Sequence, residues 1–221
     1  MPGSEAAVDP DLVRGWLAAR SLSRGLPAPV ADHGGWRVDT DDAEERRRYV
    51  FAAAGEGLVA LAGSIEAPRV FVKLCADAAA LRALLPPRWS ILPSNCMMVR
   101  AAPGPAPAIP AGYRAMVERR GAVTRVDLVT QDGRPVARGF AAEHGGVFCY
   151  DRIVTGEAHR RRGLGRALMG TLAAARRDPT AREVLTATPM GRALYATIGW
   201  RVYVPYTTAV IPDAEGAGKG Q

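Results

Sequence analysis

Three consecutive arginines followed closely by two glycines form the stretch of this chain with the clearest chemical potential. Arginines 160–162 precede Gly163 and Gly165 within the segment 151–168, DRIVTGEAHRRRGLGRAL. The first N–H groups of a helix have no intrahelical acceptors, and the helix dipole places partial positive charge there. Glycines let an anion approach the backbone, and arginines add full charges with fork-like donors. The stretch therefore predicts a diphosphate site, provided that a helix begins at Gly163.

The elements that would position this site flank it directly. Ile153–Thr155 is typical of the end of a strand, and a short polar loop leads from it to the arginines. Beyond the glycines, Leu164, Leu168 and Leu172 recur at helical spacing and predict an amphipathic helix from Gly163 to Arg177. The spacing thus predicts a strand, a basic loop and a helix N-terminus in succession.

Two other interpretations of the arginine and glycine stretch stay open at the level of the motif. It could be a basic helix start beside a glycine turn, with no ligand, because short motifs often match by chance. It could also be a dinucleotide fingerprint, which needs its first glycine directly after the strand and a small residue three positions after the second one. A polar loop follows Thr155 instead, and Leu168 occupies the small-residue position.

A resemblance extends the diphosphate interpretation. Arg160-x-x-Gly163-x-Gly165 after a strand and before a helix resembles the acyl-CoA pyrophosphate motif of the GNAT superfamily of N-acetyltransferases. A second segment, TPMGRALYATIGW at 188–200, is similar to the later helix of that family, with its tyrosine followed by Gly-aromatic. The resemblance covers residues 112–211. It implies an α/β (α+β) fold with a mixed, mostly antiparallel sheet flanked by helices.

The resemblance also implies which residues hold the cofactor, acetyl-CoA. Backbone amides from Arg162 to Ala167 would bind the pyrophosphate, and nearby arginines would add charge. Backbone groups of the preceding strand would pair with the pantetheine amides, a form of strand addition. The implied cofactor-binding residues are Ile153, Val154, Thr155, Arg160, Arg161, Arg162, Gly163, Leu164, Gly165, Arg166, Ala167 and Thr188.

Tyr195 lies where the family places its general acid. A phenol is protonated at neutral pH and can deliver a proton to a departing thiolate. The alternative is a core tyrosine whose hydroxyl finds a partner. For the general base, the position that carries a glutamate in some family members is Cys149 here, and Glu143, Asp151 and Glu157 lie nearby in sequence. The sequence assigns none of them.

Charge and composition limit the partners. The net charge is +7, and residues 151–205 hold ten arginines against four acids, so most of the excess surrounds the motif. This pattern favours a polyanionic small molecule over nucleic acid, for which interleaved aromatic residues are missing. Three scattered cysteines and three scattered histidines predict no metal site. We expect a cytoplasmic protein, since neither a signal peptide nor an apolar run of membrane-spanning length stands out.

The rest of the chain predicts an N-terminal companion to the motif-bearing half. Four prolines between residues 100 and 112 predict a boundary between a degenerate GNAT-like lobe (1–108) and an acetyl-CoA-binding GNAT domain (109–211), followed by a disordered tail (212–221). The usual two helices after the first GNAT strand are missing between Tyr113 and Thr124, so the N-terminal lobe would supply that cover and part of the acceptor pocket. In the N-terminal half the patterns predict a helix from Asp9-Pro10, a strand at 36–39, a helix over 41–54, strands or buried segments at 59–65 and 70–74, a helix over 77–85 and a strand over 91–100.

In the C-terminal half the patterns predict an antiparallel meander of four strands between residues 113 and 155. After the arginine helix follow a strand at 183–187, a helix capped by Thr188, and a strand pair at 200–204 and 207–211 separated by Pro205. The edges of that last pair could support a homodimer.

The expected function is acetyl-CoA-dependent N-acetylation of a small-molecule or peptide amine, by direct attack in a complex that holds both substrates. A non-catalytic acyl-CoA-binding or sensing module is the alternative. Neither a nucleic acid nor a membrane is an expected partner.

Overall fold

The structure, a computed structural model, describes residues 7–101 and 108–213. In these ranges the chain forms five α-helices, twelve β-strands and one 3-10 turn. In chain order they are α1 (Pro10–Arg24), β1 (Val30–Asp32), β2 (Gly35–Asp39), β3 (Arg47–Phe51), α2 (Glu56–Ser64), β4 (Val70–Leu74), α3 (Ala78–Leu84), β5 (Ser90–Ile91), β6 (Asn95–Arg100), β7 (Tyr113–Arg120), β8 (Val123–Thr130), β9 (Pro135–His144), β10 (Val147–Thr155), the 3-10 turn (Glu157–His159), α4 (Leu164–Ala174), β11 (Arg182–Ala187), α5 (Pro189–Ala196) and β12 (Trp200–Val210).

All twelve strands join one mixed sheet. Their order is β1-β2-β3-β4-β12-β6-β11-β10-β9-β8-β7, and β5 pairs with β12. Within the described ranges, β3–β4 and β10–β11 are the parallel pairs, and the other neighbours run antiparallel. With helices against the sheet, this architecture confirms the predicted fold class.

One succession of elements occurs in both halves of the chain. In the N-terminal half the order is β2, β3, α2, β4, α3 and then the interrupted strand β5–β6. In the C-terminal half the corresponding order is β9, β10, α4, β11, α5 and then β12. In each half a helix connects two parallel strands. The final strands are exchanged, because β6 pairs with β11 and β12 pairs with β4 over residues 207–210. The two halves therefore build one continuous sheet.

The predicted boundary at 108/109 falls between β6 and β7. Residues 102–107 of the proline-rich stretch lie outside the described residues, as do residues 214–221 of the predicted tail. The division into a lobe (1–108) and a domain (109–211) stays a prediction. Strand exchange means that each of these units contributes a strand to the other's part of the sheet.

Helix α1 belongs to the N-terminal half in sequence but covers the C-terminal half of the sheet. The Asp9 carboxylate caps it by accepting hydrogen bonds from the N–H groups of Asp11 (3.0 Å) and Leu12 (3.3 Å), as the Asp-Pro start predicts. Its apolar side packs with Val147 and Cys149 of β10. Strands β7 and β8 are joined by a tight turn, so α1 covers a face of the sheet that this connection leaves without helices.

Helices α4 and α5 lie on the opposite face. Leu164 and Leu168 of α4 share a core with Phe148 and Tyr150, the β10 residues that alternate with those facing α1. Because successive strand residues point to opposite faces, β10 is buried on both sides where it precedes the arginine loop. The four predicted strands β7–β10 form the expected antiparallel meander.

Two elements of the N-terminal half differ from the sequence-based prediction. The helix predicted over 41–54 is wrong, because Arg47–Phe51 forms strand β3, paired with β2 on one edge and β4 on the other. The segment 59–65 is mostly helix α2 rather than a strand. Its apolar residues surround the helix, so their pattern has no clear period, and only Leu58, Leu61 and Ala62 are buried. Non-local strand pairing decided the first of these two elements.

The predicted strand pair at 200–204 and 207–211 is also wrong. Trp200–Val210 is one continuous strand, β12. Pro205 is tolerated inside it because that part of β12 pairs with β6 on one edge, whereas pairing with β4 on the other edge begins at Thr207. A homodimer built on the edges of a final strand pair therefore loses its structural basis.

We expect α1 to contribute strongly to the stability of the whole sheet. Leu17→Ala removes a fully buried side chain, so the free energy of unfolding should fall by about 2–5 kcal/mol in a chemical denaturation experiment. Leu22→Ala is the matched control on the same helix: its side chain is 42% exposed, and the change should stay within about 1 kcal/mol. Equal effects of the two substitutions would contradict this packing.

Candidate active site

A cleft opens where β10 and β11 separate. The two strands pair in parallel from Val147 with Arg182 to Tyr150 with Leu185, and the register ends there. On its other edge β10 has an irregularity against β9 between Asp151 and Val154, where Arg152 takes a positive φ of 52°. The bend leaves the last residues of β10 beside a cleft of about 970 Å³.

Most of the residues predicted for the site line this one cleft. Arg162 and Ala167 do not: Ala167 is buried in the core, and the Arg162 guanidinium donates instead to the Tyr113 hydroxyl (3.2 Å). The predicted residues that line the cleft are Ile153, Val154, Thr155, Arg160, Arg161, Gly163, Leu164, Gly165, Arg166, Thr188 and Tyr195. Their roles stay predictions, but the fold brings them together.

The N-terminus of α4 has the form that anion binding requires. Gly163 is the N-cap residue with a φ of 78°, and no side chain caps the helix. The first intrahelical bond, 3.1 Å long, runs from the Ala167 N–H to the Gly163 carbonyl, so the three N–H groups before Ala167 precede the helical bonding pattern. Arg161 also has a positive φ, of 60°. Successive N–H groups are thus left available at a positive helix end.

The two glycines serve different purposes. Gly163 needs no side chain because its φ lies in the left-handed region that favours glycine. A Cβ on Gly165 would stand 2.9 Å from Cδ2 of Leu194, so this glycine lets α4 approach α5 closely. The second role corrects the sequence-based expectation that both glycines make room for a phosphate.

Unpaired positive charge surrounds the start of α4. Arg161 and Arg166 are exposed and form no ion pair within the described residues. Arg160 has a long contact with Glu157 (3.8 Å) and donates weakly to the Thr155 carbonyl (3.5 Å). Backbone donors and free guanidinium groups together suit a diphosphate, so the donor set fits the pyrophosphate of coenzyme A.

Tyr195 reaches the cleft from α5. That helix begins as predicted, with the Thr188 hydroxyl accepting from the Gly191 N–H (3.2 Å) and Pro189 at its first position. The phenol ring is 8% exposed and lies 6.3 Å from the Trp200 ring. Burial raises the pKa of Tyr195 to about 12. The phenol therefore keeps its proton throughout the physiological range.

None of the four residues considered for the general base is a free carboxylate in the cleft. Cys149 is buried against α1, where burial raises the pKa of its thiol far above the ordinary value. Glu143 accepts hydrogen bonds from the N–H groups of Arg177 and Asp178, outside the cleft. The Glu157 side chain is exposed and lies near Arg160.

Asp151, the fourth, is the one carboxylate among the described residues that line the cleft, and it is held by α1. Its oxygens accept from Arg24 Nε (2.7 Å), Arg24 Nη2 (2.8 Å) and Ser23 Oγ (2.9 Å). Burial opposes ionisation, but the hydrogen bonds from Arg24 and the charges of Arg20 and Arg24 outweigh it and lower the pKa of Asp151. A carboxylate held in this way is a poor proton acceptor.

The sequence alone did not indicate that Arg20 and Arg24 line the cleft. Both lie on α1, about 130 residues before Asp151, and both line the cleft together with Arg152. Their spacing of four residues places them on one side of the helix. In the sequence, this spacing is the one signal that could have suggested that the two arginines bind the same group. It could not have shown that this group is Asp151.

The counterpart of the cleft in the N-terminal half is closed. Strands β3 and β4 stay paired to their ends at Phe51 and Leu74, and the Cys75 N–H continues the ladder to the Phe51 carbonyl (3.0 Å). Helix α2 carries an acid, Glu56, in its first turn. A Cβ on Gly57 would stand 2.0 Å from the His33 carbonyl oxygen, so backbone abuts this helix start. The acid and the abutting backbone make this helix start a poorer place for an anion than the start of α4.

The comparisons with known proteins agree with this geometry. The sequence model of the acetyltransferase (GNAT) domain matches residues 124–202, which include β10, α4, β11 and α5. This part of the chain is thus similar to the GNAT family. Among curated proteins, none matches the sequence.

Solved GNAT structures resemble nearly the whole chain, the N-terminal half included. A GCN5-related N-acetyltransferase from Kribbella flavida aligns over 90% of this chain and 94% of its own, with 17% identity and a TM-score of 0.62. One from Sphaerobacter thermophilus aligns over 81% and 78%, with 16% identity and a TM-score of 0.58. A tandem GNAT protein from the clavulanic acid biosynthesis pathway aligns over 82% and 79%, with 14% identity and a TM-score of 0.54. At these identities the likeness is one of fold.

The described residues contain neither a metal-binding group of side chains nor a membrane-spanning helix. Nowhere in them do three or more His, Cys, Asp or Glu side chains gather as a metal ion would require. Across the same residues, no helix has the length and apolarity needed to span a bilayer.

Asp151 should matter for stability in a pH-dependent way. Asp151→Asn leaves three arginines without their shared anion and should lower the free energy of unfolding at pH 7 by about 2–4 kcal/mol, since the arginines are partly exposed. Because the folded-state pKa lies below the ordinary 3.8, this stabilisation is present above about pH 4 and is lost as the pH falls.

The measurement is denaturant unfolding of both proteins between acidic and neutral pH. The difference between wild type and Asp151→Asn should shrink below about pH 4. Asp11→Asn, at an exposed carboxylate on α1, is the control and should differ from wild type by less than about 1 kcal/mol throughout. A difference that stays constant down to the lowest pH would show that the charge of Asp151 is not what stabilises the cluster.

Proposed function

We propose that this protein is an acetyl-CoA-dependent N-acetyltransferase that acetylates the amine of a small molecule or peptide in a complex holding both substrates. One observation carries the proposal: a single cleft runs from the uncapped, arginine-flanked start of α4 to the protonated phenol of Tyr195. The match of residues 124–202 to the GNAT domain model supports acyl transfer as the reaction class.

Each part of the cleft has a separate task in binding. The N–H groups at the start of α4, with Arg160, Arg161 and Arg166, would hold the pyrophosphate. The free edge of β10 from Ile153 to Thr155 would pair with the pantetheine amides as an added strand would. Bound in this way, acetyl-CoA would supply the acetyl group as a thioester, and the amine would attack it directly.

The role of Tyr195 follows from its raised pKa. A thiol has an ordinary pKa near about 8.5, so a departing thiolate is a weaker base than the phenolate of a tyrosine with a pKa of about 12. The proton therefore stays mainly on the phenol oxygen. Tyr195 would stabilise the departing sulfur by donating a hydrogen bond to it as negative charge develops.

The incoming amine must lose its proton without a dedicated carboxylate. Asp151 is held by arginines, and the other acids considered lie outside the cleft or on its exposed rim. Deprotonation by water, or capture of the fraction of amine that is already neutral, fits this arrangement. It also fits the alternative function, a non-catalytic acyl-CoA-binding module, in which a base is not needed. Release of free coenzyme A from acetyl-CoA across a panel of amines distinguishes the two.

Measurement of acetyl-CoA binding tests the proposed cofactor site at the start of α4. The double variant Arg161→Gln/Arg166→Gln removes two unpaired charges beside α4, so its Kd for acetyl-CoA by calorimetry should rise about 10- to 100-fold. Arg201→Gln, at an exposed arginine on β12, is the control and should keep the wild-type Kd. Failure of the folded wild-type protein to bind acetyl-CoA would contradict the proposal.

Measurement of turnover tests the proposed role of Tyr195. Tyr195→Phe should lower kcat about 10²-fold under conditions in which chemistry limits the rate, while the Kd for acetyl-CoA stays unchanged. Tyr203→Phe is the matched control, because the Tyr203 hydroxyl accepts from the Asp9 N–H (2.7 Å) away from the cleft. Since the pKa of Tyr195 is about 12, the wild-type rate should also show no loss near pH 10. Full turnover by Tyr195→Phe would remove this residue from the mechanism.

A further inference from the structure

Three guanidinium groups converge on one carboxylate at the α1 face of the cleft. Arg24 makes both of its short bonds to Asp151, whereas Arg20 and Arg152 lie at 3.5 Å and 3.4 Å from it. Together with Ser23, Arg24 occupies the best acceptor sites of the carboxylate. Asp151 therefore neutralises about one of the three positive charges. Arg152 also donates to the Ser23 carbonyl and stacks over the Phe140 ring at 3.7 Å. Both Arg20 and Arg152 have further N–H donors to offer.

More positive charge lies behind Arg20, in the N-terminal half. Arg48 and Lys73 share one acid, Glu45, at 2.8 Å and 3.4 Å. Burial, and next the charge of Arg20, lower the pKa of Arg48. Burial lowers the pKa of Lys73 to about 8, against the attraction of Glu45. Arg20 is therefore near two groups of basic side chains. One is Arg48 with Lys73, and the other is the set of arginines that share Asp151.

Several polar atoms in this region are buried without a hydrogen-bond partner among the described residues. They include Nε of Arg20, Nε of Arg48 and the Tyr206 hydroxyl. The Arg48 side chain is only 5% exposed. Of the three residues, only Arg20 lines the cleft, and its Nε lies 3.5 Å from Asp151 without a proper hydrogen bond. Since buried polar groups are normally paired, this incompletely paired donor points to a missing partner at the cleft. In the two linked clusters, five basic side chains face two acids, so the missing partner should carry negative charge.

The position of the cluster relative to the cofactor site decides what that partner is. Arg20 and Arg24 belong to α1, which covers the face of the sheet opposite to α4. The cleft passes between β10 and β11 and is lined from both faces. Coenzyme A held at the start of α4 would enter from one face, so the face lined by Arg20 is left for the acceptor.

We propose that the acceptor amine carries an oxyanion group, a carboxylate or a phosphate, and that Arg20 and Arg152 bind it. This inference rests on the proposed function for its assignment to an acceptor. Arg24 and Asp151 then serve as the support that holds the guanidinium groups of Arg20 and Arg152 in place. The pocket discriminates against amines without an anionic group, because they leave the partly buried positive charge of Arg20 and Arg152 without a counter-ion.

A binding experiment tests the anion site without relying on turnover. With coenzyme A present at saturation to occupy the diphosphate site, succinate should raise the Tm of the wild-type protein, and its neutral analogue succinamide should not. Arg20→Gln should remove most of the succinate effect while Asp151 keeps Arg24 and Ser23. Arg14→Gln, at a side chain that is 63% exposed on the same helix, should behave as wild type. Equal shifts with succinamide, or an unchanged succinate shift in Arg20→Gln, would overturn the proposal.

Kinetics with paired amines assigns the site to the acceptor. Wild-type kcat/KM should be at least about 10-fold higher for the anionic member of one of two pairs: β-alanine over β-alaninamide, or O-phosphoethanolamine over ethanolamine. The pair with the larger ratio shows whether the site prefers a carboxylate or a phosphate. Arg20→Gln should abolish the preference mainly through KM.

The two proposals fail in different ways. A protein that does not bind acetyl-CoA refutes the proposed function. A protein that binds it and acetylates neutral and anionic amines equally keeps that function and refutes only the anion site.

Discussion

The separation of β10 from β11 is the constraint on which the candidate active site depends. Parallel pairing ends at Tyr150, and the next residue, Asp151, is bound to α1 rather than left to continue the ladder. Arg152 then takes a positive φ within the irregularity of β10. An ion cluster around the buried Asp151 thus anchors the bent end of the strand. Beyond it β10 still pairs with β9 on one edge, and on the other edge its backbone groups face the cleft instead of β11. The arginines of the same cluster also supply positive charge to the side of the cleft that α1 lines.

The N-terminal half contributes elements and side chains to the surroundings of the candidate site. It contributes α1 as cover for the sheet, β6 as the strand between β11 and β12, and Arg20 and Arg24 as lining of the cleft. Its own counterpart of the cofactor cleft is closed by continuous pairing of β3 with β4. Repetition of one succession of elements has therefore produced two halves with different tasks: one holds the cleft, and the other completes it.

Positive charge is divided between two places with different physical surroundings. At the start of α4 the arginines are exposed, so they attract an anion while water screens them. Around Arg20 the charges are partly buried, so water screens their mutual repulsion less and an anion that enters gains more. The first setting suits a mobile cofactor that many enzymes share. The second suits selection of one substrate over another.

Local signals in the sequence determined the strand, loop and helix around the arginines, the Asp9 and Thr188 caps, and the place of Tyr195. These features depend on neighbours a few residues away, so their residue types are sufficient to predict them. Tertiary structure alone decided that residues 47–51 form a strand, that β6 and β12 are exchanged, and that Arg20 meets Asp151. Each of these rests on contacts between distant segments, whose energy outweighs local preference and leaves no local pattern.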